Sequence, residues 1–320
     1  MRYVLRRVLY ALLLLAGVSV LTFAFSELAP GDYYTQMRVD PSIAPEAVDA
    51  LRHKAGYERP LPVRYAGWAA SVLRGDFGYS LAYAGPVGPL VLDRLGATLL
   101  LAGSATFTAW LLAIPLGIWN ATRRGWQDAL SRAAMALLLI VPDLLLAIVV
   151  LLMAVETGWF PVGSMASPDA ASLPFWSRLL DLLRHLCLPA AVLVIGMLPI
   201  LVRHVRAAML EVMDSAFALS ARAQGISPGR LLYRHLLPAA VHPLVSLFGL
   251  SIGTLLSASL LVEVVMGWPG LGPLLIEAIM ARDVAIVMAV VMLSAAFLIL
   301  GNLAADLLLY RLDPRIRVRG

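Results

Sequence analysis

Four acidic residues in or beside long apolar runs are the first candidates for chemistry: Asp143, Glu156, Glu263 and Asp306. A charged side chain at the centre of a bilayer costs about 2.5–3.5 kcal/mol on insertion scales, so an acid at that depth needs a partner or a task. Glu156 and Glu263 lie near the ends of their runs, where contact with water is a sufficient explanation. Asp143 follows Pro142 deep inside a run. It either faces a transport pathway or serves as a structural partner for a hydroxyl or a freed backbone group.

Catalytic and metal-binding patterns are missing from the sequence. It contains no Gly-x-Ser-x-Gly elbow and no His-Glu-x-x-His pair, and its five histidines lack metal-ligand spacing. His235 and His242 would share a helical face only if one helix ran unbroken through Pro238 and Pro243. The single cysteine, Cys187, is expected to be a small buried apolar residue. The sequence therefore predicts no catalytic residue, no metal site and no enzyme.

A nucleotide-binding loop of the Gly-x-x-x-x-Gly-Lys-Ser/Thr type is also missing. Its lysine must reach the phosphates, and the only lysine in the chain is Lys54. The residues around Lys54 do not form such a loop. If the protein takes part in active transport, another subunit must supply the energy.

The elements that carry these residues are predicted to be membrane helices. Hydrophobic residues make up 61% of the 320 residues and charged residues only 14%, which is too little charge to cover a soluble domain. Since unpaired backbone amides are not tolerated in lipid, runs of about 20 apolar residues should be helices. The sequence predicts an all-α, polytopic membrane protein with six transmembrane helices. These runs are 8–28, 97–119, 133–154, 186–205, 239–265 and 285–309.

The distribution of arginine predicts the orientation. The formal net charge is +5, but the arginines lie in short clusters between apolar runs, which argues against a nucleic-acid partner. The clusters fall on one side of the predicted membrane, and the short loops of the other side carry few arginines. Both termini are therefore expected in the cytoplasm. The arginine-rich stretches are 2–7, 123–132, 203–234 and 311–319.

The chain divides into a small number of predicted regions. Residues 1–28 are a retained transmembrane helix, because no convincing signal-peptide cleavage site follows the run. Residues 29–94 are an ordered external region, and residues 95–309 are a core of five helices that includes a cytoplasmic loop, 206–238. Residues 310–320 are a cytoplasmic tail. Prolines should punctuate short helices in the external region: Pro41, Pro45, Pro60 and Pro62.

The predicted fifth helix carries small residues on one face. Gly249, Gly253 and Ser257 recur every four residues, which suits close packing against another helix. Ser257, together with Asp143, is a candidate for lining a pathway. Several helices should be kinked where prolines interrupt them: Pro115, Pro142, Pro189 and Pro199.

The predicted cytoplasmic stretch 203–238 is too long for a plain hairpin connection. Residues 218–226 form a short helix of small residues, which Gly225 ends by taking a left-handed conformation. Residues 227–229 make the turn, and residues 230–237 begin a second helical stretch before a proline. A helix, a tight turn and a helix on the cytoplasmic face form a shape that fits a partner's groove.

This stretch resembles the coupling-loop motif of ABC-importer permeases, in which Glu-Ala-Ala is followed by Gly and then by Leu-Pro. Leu219 stands where that motif has Glu, and His235 stands where it has Ile. The form Ser-Ala-Arg-Ala-Gln-Gly that begins at Ser220 is similar to that of the peptide and nickel permeases. The resemblance implies that a separate ATPase docks on this loop. The residues carried over are Ser220, Ala221, Arg222, Ala223, Gly225, Leu237 and Pro238.

The resemblance extends along nearly the whole chain, with further family-like segments at 28–32, 59–65, 75–80, 158–162, 268–272 and 302–317. Their order is that of the first, B-type permease of the dipeptide, oligopeptide and nickel importers. The family implies a MetI-like core with an extra N-terminal helix and an external insertion after it. It also implies a second homologous permease, two cytoplasmic ATPases that bind ATP and Mg, and an external solute-binding protein.

The sequence leaves alternatives open for the transported solute and for the class of transporter. Di- or oligopeptides are the leading solutes, with nickel or a small peptide-like solute such as glutathione as alternatives. From a different class, an ion-coupled secondary transporter would need binding groups at the middle of the membrane and would function without partners. The expected location is a bacterial plasma (inner) membrane, crossed several times.

Overall fold

The computed structural model of the chain describes residues 2–28, 33–38, 44–54, 56, 58–123 and 125–312. Its long helices are α1 (Arg2–Leu28), α5 (Val87–Thr122), α8 (Phe175–Met213), α11 (Leu237–Met266) and α13 (Val284–Leu312). Four single helices in the described ranges are long and apolar enough to cross a membrane, and two bent pairs bring the number to as many as six. The predicted all-α, polytopic fold is confirmed.

The predicted third span, 133–154, is two helices rather than one. Helix α6 (Trp126–Ile140) and helix α7 (Asp143–Thr157) meet at an angle of 93°. Val141 and Pro142 between them are extended, with ψ angles of 118° and 139°. Proline has no N–H and disfavours helical backbone in the residue before it, so the ladder of hydrogen bonds stops here. Asp143 is therefore the first residue of α7 and does not lie deep within a helix.

The predicted fifth span lies within α11, which is longer than expected at 30 residues. Gly267 ends α11 in a left-handed conformation (φ 67°), as glycines at helix C-termini commonly do. A ten-residue helix, α12 (Leu271–Met280), then follows at 79° to the last turns of α11. The sequence did not predict α12, because ten residues are too few to form a span.

The region between α1 and α5 contains short helices, as predicted. They are α2 (Tyr33–Met37), α3 (Pro45–Lys54) and α4 (Leu61–Leu73), followed by a two-stranded hairpin of β1 (Tyr79–Ser80) and β2 (Gly85–Pro86). Pro45 begins α3 and Pro60 precedes α4, whereas Pro41 lies outside the described residues. Helix α5 starts at Val87, inside the range 29–94, so the last residues of that range belong to a core helix.

The main core lies between α5 and α8. Leu101, Ala105, Leu201 and Val205 are among its fully buried residues. Gly117 permits the close approach, because a Cβ on it would lie 2.5 Å from the Cβ of Val205. Small residues such as glycine are common where membrane helices pack closely.

A second contact made through glycine joins α11 to α13. A side chain at Gly253 would overlap Leu298, which confirms the predicted packing role of this face at Gly253. Cys187 lies on the exposed surface of α8, so the expectation that it is buried was wrong. Many leucine and valine side chains of α1 and α7 are exposed in the same way, as lipid-facing or subunit-facing helices require.

Candidate functional site

The segment that joins α8 to α11, residues 214–236, contains the predicted helix, turn and helix. Helix α9 (Ala216–Ala223) begins after Ser215, whose hydroxyl accepts a hydrogen bond of 3.3 Å from the N–H of Ala218. This is the usual N-terminal cap of a helix. Gly225 follows α9 with φ +75°, and a Cβ added to it would meet nothing within 4 Å. Glycine is therefore needed there for its backbone conformation and not for space.

The second half of the α8–α11 segment differs from the prediction. Pro228 and Gly229 belong to helix α10 (Pro228–Leu231) and not to the turn, because proline is well suited to the first helical position. A π-helical turn (Leu232–Leu236) then leads directly into α11, so Pro238 lies in the first turn of that helix and does not end it. The segment is thus an elbow that is continuous with a membrane helix.

Burial divides the predicted coupling residues into two groups. Ala221 is buried with its neighbour Ala218 in the main core, and Leu237 is half-buried. The remaining members are exposed: Ser220, Arg222, Ala223, Gly225 and Pro238. Small buried residues therefore fix the segment to the core, and the other residues are open to a partner.

Three large apolar side chains stand out on the same segment. Phe217 is 52% exposed, Leu219 67% and Tyr233 67%. The ring of Phe217 lies 6.2 Å from that of His235, so this histidine packs on an aromatic side chain. Sequence reasoning missed Phe217 and Tyr233, and it noted Leu219 only as a departure from a motif. The spacing of the buried Ala218 and Ala221 on one face of α9 could have placed Phe217 and Leu219 on the other face.

Arg222 connects α9 to the end of α8. One guanidinium nitrogen of Arg222 donates to the carbonyl oxygen of Met213 at 3.4 Å, which places a cation at the C-terminal end of α8. Cations are favoured there because the last carbonyls of a helix have no partners within it. This arginine thus has a structural task besides any contact with a partner.

The two candidates for lining a pathway have different surroundings. Asp143 lies half-exposed at the start of α7, and its carboxylate fills the space where Gly196 of α8 lacks a side chain. A carboxylate at a helix N-terminus is favoured by the helix dipole, which supports the structural alternative for this residue. Ser257 is exposed, and its hydroxyl donates to the carbonyl of Gly253 at 3.5 Å.

Glu263 does not contact water, contrary to the expectation from its position near a helix end. It is fully buried, and one carboxylate oxygen accepts the N–H of Gly272 at 2.7 Å. The hydroxyls of Thr98 and Ser259 lie close to the carboxyl group, whose other oxygen has no hydrogen-bond partner among the described residues. A side chain at Gly270 would overlap the carboxyl group. Glu263 thus shapes the turn between α11 and α12.

The same turn is bonded to α5. The indole N–H of Trp268 donates to the carbonyl of Ala97 at 2.9 Å, and the N–H of Leu271 donates to the hydroxyl of Thr98 at 2.8 Å. Trp268 is almost fully buried. The N–H of Ser164 donates to the carbonyl of Gly267 at 2.9 Å, so the loop after α7 joins the same structure.

The hairpin before α5 is attached to the turn between α12 and α13. Asp283 accepts hydrogen bonds from the hydroxyl of Ser80 at 2.6 Å and from the N–H of Ala82 at 3.2 Å. The hydroxyl of Tyr83 is hydrogen-bonded to Glu277. Burial, followed by this hydrogen bond, raises the pKa of Tyr83 to about 12. Across the described ranges, no group of three or more His, Cys, Asp or Glu side chains could hold a metal ion.

Comparison with known proteins places the chain in a family. Residues 113–318 match the model of the inner membrane component of binding-protein-dependent transport systems. The chain belongs to this family. Residues 1–102 match the corresponding N-terminal membrane component. Both the N-terminal region and the helical core are therefore family features.

Individual relatives cover almost the whole chain. The oligopeptide transport system permease protein AppB of Bacillus subtilis is 34% identical over 98% of both chains. The oligopeptide permease OppB of Mycobacterium tuberculosis is 33% identical and the dipeptide permease DppB of Escherichia coli is 32% identical, each over 99% of both chains. An inward-facing structure of the MetNI methionine ABC transporter shares the fold, with a TM-score of 0.55 and 18% identity over 70% of this chain and 96% of its own.

Family membership decides the general role of the chain. It is a non-catalytic transport permease of an ABC importer, a multi-pass protein of the bacterial inner membrane. Such a permease works with ATPase subunits and with other permease subunits.

Proposed function

We propose that this chain is the first of two homologous permease subunits in an importer of di- or oligopeptides. The relatives that cover the chain end to end are named oligopeptide and dipeptide permeases, which favours peptides over nickel or glutathione. An external solute-binding protein delivers the peptide, and two cytoplasmic ATPases bind the ATP and Mg that drive transport. The chain itself supplies half of the pathway.

The orientation in this proposal has both termini in the cytoplasm. The observation that supports it is the clustering of arginines beside the α8–α11 segment and in the other stretches on the same side of the membrane. In this orientation the hairpin and α12 face the outside, where the solute-binding protein arrives. Asp143 and Ser257 are proposed to border the pathway.

The α8–α11 segment is proposed to be the coupling site for the ATPase. The observation that carries this is the exposed apolar surface of Phe217, Leu219 and Tyr233 on a helical elbow whose opposite side is buried in the core. Exposed aromatic and aliphatic side chains on a rigid helix are typical anchors for a partner's groove. Because the elbow continues into α11, a movement of the ATPase would be transmitted directly to a membrane helix.

Replacement of Gly225 tests the coupling site. Gly225→Val should remove ATP-driven peptide uptake by the assembled importer in proteoliposomes, because a β-branched residue resists φ +75° and the elbow would change direction. Membrane insertion should be unaffected, since open space surrounds this position.

Gly229→Val is the matched control for that experiment. Gly229 also has open space around it, but it lies within α10 and has no positive φ. Uptake should be largely retained in this variant. Normal uptake by Gly225→Val, with the protein inserted at wild-type levels, would refute the proposed coupling site.

A further inference from the structure

A basic groove lies between α6 and α8, beside the end of α5. Its walls are the end of α5, one face of α6 and the region of α8 around Arg203, and its volume is about 330 Å³. Arg206 is seven residues from the end of α8, about 10 Å along the helix. The groove therefore lies near the same end of the bundle as the α8–α11 segment.

The charges in this groove are unbalanced. Asp128 on α6 accepts from Arg206 at 3.4 Å and pairs with Arg132 at 3.2 Å. A third arginine, Arg203, lines the groove and has no acidic partner in the described part of the chain. Three guanidinium groups against one carboxylate leave two positive charges. This excess favours a ligand that is negatively charged.

The remaining lining is apolar and adjoins the exposed surface of α6. Met135 and Leu139 line the groove beside the arginines, and Leu139 is exposed, as are its neighbours Leu137 and Ile140. Trp126, at the start of α6, is exposed as well. Tryptophan beside arginine is typical of the boundary between lipid and water. The groove thus offers cationic groups at one end and a hydrocarbon surface at the other.

We propose that this groove binds an anionic phospholipid of the phosphatidylglycerol type. The phosphate would lie on Arg203 and Arg132, and an acyl chain would lie along Met135 and Leu139. Basic pockets between membrane helices recognise lipid headgroups by this combination of charge and apolar surface. The assignment to the cytoplasmic leaflet rests on the orientation proposed above, whereas the lipid site itself does not.

The experiment measures lipid binding to the detergent-purified importer by native mass spectrometry. Phosphatidylglycerol should bind more tightly than phosphatidylcholine. Arg203→Gln should weaken phosphatidylglycerol binding about five-fold, the effect expected for one arginine near an anionic surface. Arg203→Lys, which keeps the charge, should weaken it by less than about two-fold. Arg203 is the residue of choice because its loss leaves the pair between Arg206 and Asp128 intact.

Arg178→Gln is the matched control, since Arg178 is an exposed arginine near the opposite end of the same helix. It should leave phosphatidylglycerol binding unchanged. Equal binding of the two lipids, or an equal loss in both glutamine variants, would overturn the proposal. Displacement of phosphatidylglycerol by inorganic phosphate alone would also overturn it, because the groove would then be a site for a soluble anion. Peptide uptake is a separate readout, so the lipid site and the transport function can fail independently.

Discussion

The two ends of α11 are built in opposite ways. At its start, the α8–α11 segment exposes Phe217, Leu219 and Tyr233. It is held to the core by four buried apolar side chains, those of Ala218, Ala221, Leu231 and Leu236. At its end, the turn into α12 is bonded through Glu263 and Trp268, both buried. One end is thus left open to a partner, and the other is closed by the chain itself.

This difference shows how α11 can connect a site that a partner moves, at its start, to a turn held within the chain, at its end. An exposed apolar surface gains free energy only when a partner covers it, so the first end is incomplete in the isolated chain. At the second end, Glu263 accepts the N–H of Gly272 within the chain, so this hydrogen bond needs no partner protein. Mutations at the two ends should therefore affect different quantities: association at the first, and stability at the second.

The largest effect is expected at the closed end. Glu263→Ala should lower the free energy of unfolding by about 3 kcal/mol, because it leaves the buried N–H of Gly272 without its acceptor and opens a cavity. The measurement is the midpoint of thermal unfolding of the full chain in detergent. Glu156→Ala is the control, since that glutamate is exposed, and its effect should be below about 0.5 kcal/mol. Equal midpoints for the two variants would show that the closed end does not depend on Glu263.

The sequence was informative where a local pattern decides the structure. Gly225 and the prolines near it mark the helix, turn and helix, and the apolar runs mark the long helices, because both signals depend on neighbouring residues alone. The same reasoning located the packing face at Gly253. The helix, turn and helix could therefore be predicted from local sequence patterns, whereas the coupling role proposed for it came from the family resemblance.

Other features depend on residues far apart in the chain and could not be predicted. The surroundings of the buried Glu263 include Thr98, which α5 brings from 165 positions earlier in the sequence. The angle of 93° between α6 and α7 is another case, because a proline in a membrane helix is compatible with either a small kink or a full break. Which one occurs depends on the neighbouring helices.

An intermediate effect is expected at the open end. Phe217→Ser should weaken binding of the ATPase subunits about ten-fold, equivalent to about 1.4 kcal/mol, because it removes an exposed apolar anchor. The unfolding midpoint of the permease should change little. Co-purification at a series of ATPase concentrations provides the measurement.

The control is Val162→Ser, which changes an exposed apolar residue in the loop after α7 and should leave binding unchanged. A fall in the stability of Phe217→Ser with unchanged binding would reverse the roles given to the two ends.

The smallest effect is expected where the hairpin joins the closed end, at Tyr83. Its pKa is raised to about 12 from an ordinary value near 10, first by burial and then by the hydrogen bond to Glu277. A raised pKa means that the contribution of the protonated hydroxyl is complete below about pH 10 and is lost as the pH rises towards 12. Because the contact is partly exposed, Tyr83→Phe should cost less than about 1 kcal/mol.

Spectrophotometric titration should show that this variant loses an ionisation near pH 12, whereas Glu277→Gln moves it lower. Tyr79→Phe is the control for the titration, since Tyr79 lies in the same hairpin and is exposed. Loss of an ionisation near pH 10 in Tyr83→Phe would show that the hairpin is not bonded to α12 in solution.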